Sequence, residues 1–254
     1  MTNKLLTIGY STLAERLQNI ILPKVDLPHD IFISIQNPRN VEFELPTDFE
    51  FRVVTSSEKG VAKSRNKVLL STETRYLLFA DDENTFRGDN IKSAISYLES
   101  NPNCDLVLAQ AVDTTGALRK AYPKKVRKLT KFNSAKAATY EMIVRVESAK
   151  NKGVKFDENF GAGAINYLGD EYIFISDLLD KGGAGVFLPL TIAIHPEESS
   201  GSRWGSDSDL RARAQVFQRV FGDSAPLVRI AFYLKNLQKF GGIRNIVRFS
   251  LGKF

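Results

Sequence analysis

The chain is almost without cysteine: Cys104 is the only one in 254 residues. An internal disulfide is therefore excluded, and with it the secreted scaffolds that disulfides hold together. A reducing cytoplasm fits this usage. Cys104 sits at the start of the run Asp105-Leu106-Val107-Leu108 and reads as a buried structural thiol rather than a nucleophile. Long apolar runs are missing too. No segment approaches the ~18 to 20 apolar residues of a membrane span. Met1 to Leu6 carry neither an h-region nor a cleavage site, so a signal peptide is not expected. These absences predict a cytoplasmic location.

Acidic residues are absent from two stretches. From Ser224 to Phe254 the chain carries Arg229, Lys235, Lys239, Arg244, Arg248 and Lys253 and no Asp or Glu. The whole chain has a net charge of +6, so the remainder is formally neutral. Apolar residues such as Phe232, Tyr233, Leu234, Leu237, Phe240, Ile243, Ile246, Val247 and Phe249 are mixed into this tail. Two readings stay open, a helix packed on the domain or a peripheral anchor on an anionic membrane face. The second stretch, Leu118 to Lys136, holds Arg119, Lys120, Lys124, Lys125, Arg127, Lys128, Lys131 and Lys136. It is either a solvated loop or a contact for an acceptor or phosphate. Neither stretch carries an aromatic-interleaved recognition motif, so no nucleic-acid partner is expected.

What is present alternates strand-like and helix-like runs. Leu5 to Tyr10, Asp30 to Gln36, Phe51 to Thr55, Tyr76 to Ala80 and Leu106 to Ala111 read as strands. Thr12 to Ile21 reads as a helix capped by Ser11, Val61 to Leu70 as a second and Ile91 to Leu98 as a third. This alternation predicts an α/β fold with a mostly parallel central sheet flanked by helices. We expect a single domain over residues 1–222 and a basic, helical extension over 223–254. In such sheets ligands bind beyond the carboxyl ends of the strands. Tyr10-Ser11, Gln36-Asn37 and Asp81-Asp82-Glu83 stand at such ends.

Three adjacent carboxylates repel one another unless a positive group lies between them. A hard divalent cation with oxygen ligands, Mg²⁺ or Mn²⁺, is the simplest partner. Upstream, Lys59-Gly60-Val61-Ala62-Lys63-Ser64-Arg65-Asn66 opens a helix whose N-terminus favours anions, and Arg65 is suited to pair with phosphate. Downstream come Phe156-Asp157-Glu158-Asn159-Phe160-Gly161-Ala162-Gly163-Ala164 and Leu168-Gly169-Asp170-Glu171. Glycines 161, 163 and 169 permit close backbone approach to a ligand. Asp170-Glu171 opens a further helix. The run Leu190 to Ile194 reads as a strand that ends at His195.

These segments resemble those of family 2 glycosyltransferases. Gly60 to Asn66 is similar to their G-x-(S/A)-x-(A/S)-R-N, Tyr76 to Glu83 to their Y-I-L-F-L-D-D-D strand, and Phe156 to Glu171 to the F-D-E-x-F-G-x-G-A…G-E-(D/E) of bacterial polysaccharide-synthesis members. Glu83 stands where the family usually has Asp, and Gln36-Asn37 where many members have an Asp for uracil. The resemblance covers most of residues 4 to about 220 and implies a GT-A-like fold. It implies an inverting transfer from a nucleoside-diphosphate sugar, a UDP-sugar in the usual case, to a hydroxyl of a glycan or lipid-linked acceptor in surface polysaccharide synthesis. Glu171 aligns with the general base, with Asp170 the second choice. Thr7, Tyr10, Ser11 and Gln36 would hold nucleobase and ribose. Ser64, Arg65, Asn66, Asp81 and Asp82 would contact the nucleotide-sugar. Mn²⁺ or Mg²⁺ would be held by Asp82 or Glu83 with His195. A sugar-nucleotide nucleotidyltransferase is the alternative enzyme, but Gly9-Tyr10-Ser11-Thr12-Leu13 lacks its Gly-rich basic loop. A non-catalytic subunit of a polysaccharide-synthesis complex is the alternative outside enzymes.

Overall fold

A computed structural model describes residues 4–47, 50–196, 206–239 and 244–252. The strands are β1 Leu6–Leu13, β2 His29–Gln36, β3 Arg52–Ser56, β4 Tyr76–Asp81, β5 Thr85–Phe86, β6 Leu106–Val112, β7 Arg127–Lys128, β8 Met142–Arg145 and β9 Gly185–Ile194. The α-helices are α1 Val61–Ser71, α2 Gly88–Ser100, α3 Val146–Asn151, α4 Asp170–Asp180, α5 Asp207–Phe221, α6 Ala225–Lys235 and α7 Arg244–Leu251. Among the described residues nine strands form one mixed sheet in the order β3-β2-β1-β4-β8-β6-β9-β5, with β7 pairing β9.

β4 shows why this sheet is two-sided. Its residues from Tyr76 to Ala80 are all buried, as an apolar run in a central strand requires. They alternate between two cores. Leu78 and Ala80 face a core with Ile8, Tyr10, Ile33 and the α2 residues Ile91, Ala94, Ile95 and Leu98. Leu77 and Phe79 face the other, with Val68 and Leu69 of α1 and Phe174, Ile175 and Leu178 of α4. Phe79, Phe156 and Phe174 pack there ring against ring at centroid distances of 4.6 to 6.2 Å. Gly9 lets α1 approach the sheet, since a Cβ on it would lie 2.2 Å from Val68 Cγ1.

β1 pairs in parallel with β2 and with β4, and β2 with β3. β8 enters antiparallel between β4 and β6, which leaves β6 parallel to β4, and β9 is parallel to β6. The carboxyl ends of β1, β2, β4, β6 and β9 therefore share one edge of the sheet.

Two sequence expectations change here. The helix expected over Thr12–Ile21 is absent: β1 runs on to Leu13, and a 3-10 turn over Ala14–Asn19 follows. Ser11 caps nothing. It is a strand residue opposite Ser34 on one side and Asp81 on the other. Parallel ladders on both flanks hold the segment extended, which outweighs its local capping signal. The second change is β8, a four-residue strand that the sequence reading passed over.

The tail is helical. α5, α6 and α7 meet through Leu210, Ala214, Phe217, Ala225, Tyr233 and Phe249, while α5 docks on α4 through Val216, Val220, Tyr172 and Ile173. Arg229, expected among the surface charges, is instead buried inside this bundle. It donates to the Ala214 and Ser250 carbonyls and to Gln218 Oε1. Arg248 pairs with Asp207. Phe240, Ile243 and Lys253 of the expected anchor lie outside the described residues, as does the Ser199-Ser200-Gly201 loop after His195. Among the described residues no helix is long and apolar enough to cross a membrane.

Candidate functional site

The acidic run stands at the shared carboxyl edge, where β4 ends. A tight turn shapes it: Asn84, fully buried, accepts from the Asp81 N–H through Oδ1 at 2.8 Å and returns its own N–H to the Asp81 carbonyl at 3.1 Å. The turn sends the three carboxylates in different directions. Asp81 Oδ1 accepts from Arg65 Nη2 at 2.9 Å. Asp82 is buried and turns back toward β1, where Oδ2 accepts from Thr12 Oγ1 at 2.6 Å and Oδ1 from Arg16 Nη2 at 2.6 Å. Glu83, 41% exposed, pairs with the same Arg16 nitrogen. Burial raises the Asp82 carboxyl above its usual range; Thr12 and Arg16 oppose that shift.

Arg65 carries the acidic run across to the second motif. It projects from the first turns of α1 and is buried. Nη1 donates to Asp170 Oδ2 at 2.6 Å while Nη2 holds Asp81. Its guanidinium also lies 5.8 Å from the centre of the Phe156 ring. Burial alone would lower this arginine's affinity for its proton, but Asp81, Asp170 and Glu171 together more than reverse that and fix it as a cation. Asp170 and Glu171 are the first residues of α4, reached through Gly169 in the left-handed region. Burial and the neighbouring Asp170 charge push the Glu171 carboxyl well above the usual carboxylate range, and Arg65 only partly offsets them. A carboxyl raised in this way binds a proton more tightly than an ordinary one, which suits a group that takes a proton from a hydroxyl.

Two of the glycines expected to face a ligand, Gly161 and Gly169, make room for chain packing. Gly161 has φ +93°, and a Cβ there would lie 2.7 Å from Asp170 Cγ, so its bare backbone makes room for the Asp170 carboxyl. At Gly169 the close neighbour is Val216 of α5.

The other expected site residues divide into those at the edge and those elsewhere. Ser11 is at the edge; its buried hydroxyl has no hydrogen-bond partner among the described residues. Gln36 is at the edge as well, but its Oε1 accepts from the Gly60 N–H at 2.8 Å. The Val61 N–H donates to the Ala162 carbonyl at 2.9 Å, so two donors at the start of α1 are already satisfied by the chain. Ser64 donates to the Ser34 carbonyl at 3.2 Å. Asn66 clamps the 156–158 segment, donating to the Phe156 carbonyl and Glu158 and accepting from the Phe156 N–H. Ser64 and Asn66 thus fasten backbone around Arg65. Thr7 and Tyr10 are not brought to the edge. Thr7 is four strand residues before Ser11, roughly 13 Å along the strand, fully buried and bonded to Thr74. Tyr10 points into the core, with its hydroxyl on the Ile21 carbonyl at 3.2 Å.

His195 does reach the edge, just past β9. Its Nδ1 lies 2.7 Å from the Pro196 carbonyl and its ring stacks on Tyr140 at 4.7 Å. It does not close a metal site with Asp82 and Glu83: among the described residues, no group of three or more His, Cys, Asp and Glu side chains is placed to hold a metal ion. The donor chemistry agrees with that. Both Asp82 oxygens are taken by Thr12 and Arg16, and Glu83 shares the same guanidinium. As arranged, these residues do not fit a divalent ion. Thr12, Arg16, Asn84 and Tyr140 are site residues that the sequence reading missed. Asn84 was the most accessible of them, because an Asn directly after an acidic strand end is a turn signal.

No known family model matches the chain, and no curated protein matches it in sequence. Solved structures do match in fold. Residues 1–349 of S. aureus TarS superimpose with a TM-score of 0.62 over 97% of this chain and 80% of that one, at 13% identity. The same TarS fragment in complex with UDP-GlcNAc gives 0.59 over 93% and 73%, again at 13% identity. Against the longer S. aureus TarS chain the TM-score is 0.59 at 13% identity, and this chain covers 93% of itself but only 44% of that chain. The fold is thus α/β and GT-A-like, with a mostly parallel mixed sheet flanked by helices.

Proposed function

We propose that this chain is an inverting glycosyltransferase. Its donor would be a nucleoside-diphosphate sugar, with UDP as the nucleotide, and its acceptor a hydroxyl of a glycan or lipid-linked molecule in surface polysaccharide synthesis. One observation carries the reading: Arg65 joins Asp81 at the end of β4 to Asp170 at the start of α4, which brings two motifs far apart in sequence into one site. The fold likeness to TarS structures, two of them holding UDP-GlcNAc and UDP, supports the choice of donor.

In this reading the donor lies along the carboxyl edge over Ser11, with Asp81 toward its ribose or sugar. Glu171 takes the proton of the acceptor hydroxyl. The freed oxygen attacks the anomeric carbon from the face opposite the diphosphate, a C–O bond forms there, and the bond to the diphosphate oxygen breaks with inversion. Arg65 stays in place as a support that fixes Asp81 and Asp170 relative to each other. The tail would bring the enzyme to lipid-linked acceptors: Leu227, Ile230, Leu234 and Leu237 of the α6 region and Val247 and Leu251 of α7 are exposed. Incubating the protein with UDP-sugars and a bacterial lipid-linked glycan extract tests the proposal. Release of UDP supports it. Release of pyrophosphate from a nucleoside triphosphate and a sugar phosphate would point to the nucleotidyltransferase instead.

A further inference from the structure

The acidic run needs positive charge, and the structure supplies it from the protein itself. Arg16 sits in the 3-10 turn after β1, and its Nη2 contacts both Asp82 Oδ1 and Glu83 Oε1. Thr12, at the end of the same strand, takes the remaining Asp82 oxygen. Arg65 does for Asp81 what Arg16 does for its two neighbours. Two arginines from two different elements thus pair with all three acids. Each Asp82 oxygen already accepts a hydrogen bond, so a hard cation there would compete with a guanidinium and a hydroxyl. Meanwhile Arg16 is 40% exposed at the edge where strand ends converge. A guanidinium has five N–H donors and suits a diphosphate as well as a carboxylate.

We infer that Arg16 is the built-in cation of the donor site: it stands at Asp82 and Glu83 in the place of a divalent ion, so a nucleoside diphosphate binds this chain without metal. The inference rests on the glycosyltransferase reading for the identity of the ligand. Its distinct content is the source of the positive charge. Arg16 offsets one of the two carboxylate charges before the donor arrives, and its remaining N–H groups meet the diphosphate oxygens. The negative charge that develops on the leaving diphosphate is then partly offset by a guanidinium held in place.

The test is calorimetric titration of UDP into the full chain, once in EDTA and once in Mn²⁺, together with electron paramagnetic resonance of Mn²⁺ added to the protein alone. The expected result for the wild type is equal affinity in both buffers, within about twofold, and no bound-Mn²⁺ signal. Arg16→Met should weaken UDP binding in EDTA by about tenfold or more and recover part of it in Mn²⁺, while Arg16→Lys should stay within a few-fold of wild type. Thermal unfolding of both variants confirms that they fold. The wild-type titrations stand by themselves if they do not. Affinity that collapses in EDTA, or a bound-Mn²⁺ signal that Glu83→Gln abolishes, overturns the assignment of Arg16 and leaves the donor reading intact. UDP that binds in neither buffer sinks the donor reading and the inference with it.

Discussion

Replacing Arg65 with Met is the most informative perturbation of the fold and the site together. The guanidinium is only 8% exposed and the Asp170 side chain 4%, so solvent offers little screening. Removing the cation leaves Asp170 buried without its partner, Asp81 unpaired at the strand end, and Glu171 beside them with the one opposing charge gone. Breaking a buried pair from one side costs ~3 to 5 kcal/mol. For a chain of this size each kcal/mol moves the midpoint by about 2 to 4 °C, so the expected fall in Tm at pH 7 is roughly 6 to 20 °C. The assay is thermal unfolding followed by circular dichroism across pH. The sign of the pH dependence follows from linkage. In the variant the Arg65 charge that opposes the rise of the Glu171 carboxyl is gone, so its folded pKa rises further above the unfolded value. Protonation then relieves the cost, and the gap to wild type should narrow as pH falls toward the carboxylate range. Adding Asp170→Asn to Arg65→Met should recover part of the loss, because the two residues share one interaction. A single variant within about 2 °C of wild type at pH 7 would refute the buried bridge.

Further outcomes follow from other parts of the structure. Glu171→Gln should lower turnover by about 10² to 10⁴ with little change in donor affinity, read from steady-state kinetics with UDP release. The same variant should be more heat-stable than wild type at pH 8, with the difference vanishing toward pH 4. The reason is that the folded pKa of Glu171 is raised: its contribution is complete below the unfolded value of about 4.3 and lost as pH rises through the folded one. Gly161→Ala adds a Cβ 2.7 Å from Asp170 Cγ at φ +93°, and should cost about 1 to 3 kcal/mol in urea unfolding. Arg229→Met removes the donors that bind Ala214, Ser250 and Gln218 inside the α5–α7 bundle. Limited proteolysis should then cut in α6 or α7 before the sheet. Changing Leu227, Ile230 and Leu234 together to Gln should abolish flotation with anionic liposomes; unchanged flotation would remove the α6 face from membrane contact.

The parts of this molecule written in contiguous residues were legible. Tyr76 to Ala80 could only be a buried strand, so its end and the acids that follow were placed before any coordinates. The α1 segment was legible as a helix, but the role of Arg65 was not. Arg65 pairs with Asp170, 105 residues further on, and a local pattern that suggests phosphate gives no hint of a carboxylate partner. Arg16 is a stronger case: an ordinary arginine in a short turn acquires its meaning from Asp82, 66 residues away. Tyr10 was assigned to the ligand because β1 was read as ending there, and Thr7 because the resemblance implied it. With the strand running to Leu13, the edge shifts to Ser11 and Thr12. His195 was placed correctly at the edge, but its relation to the acids depends on side-chain directions that no linear pattern encodes. β8 escaped because four residues give too short a window for period-2 alternation to register.

In the proposed reaction the edge joined by Arg65 transfers sugar with Glu171 as the base. Nucleoside-diphosphate release from UDP-GlcNAc in the presence of a lipid-linked glycan acceptor tests it most directly, comparing wild type with Glu171→Gln. The expected result is acceptor-dependent UDP release by the wild type and a loss of about 10² or more in the variant, with UDP still bound. Release by Glu171→Gln at the wild-type rate would contradict it.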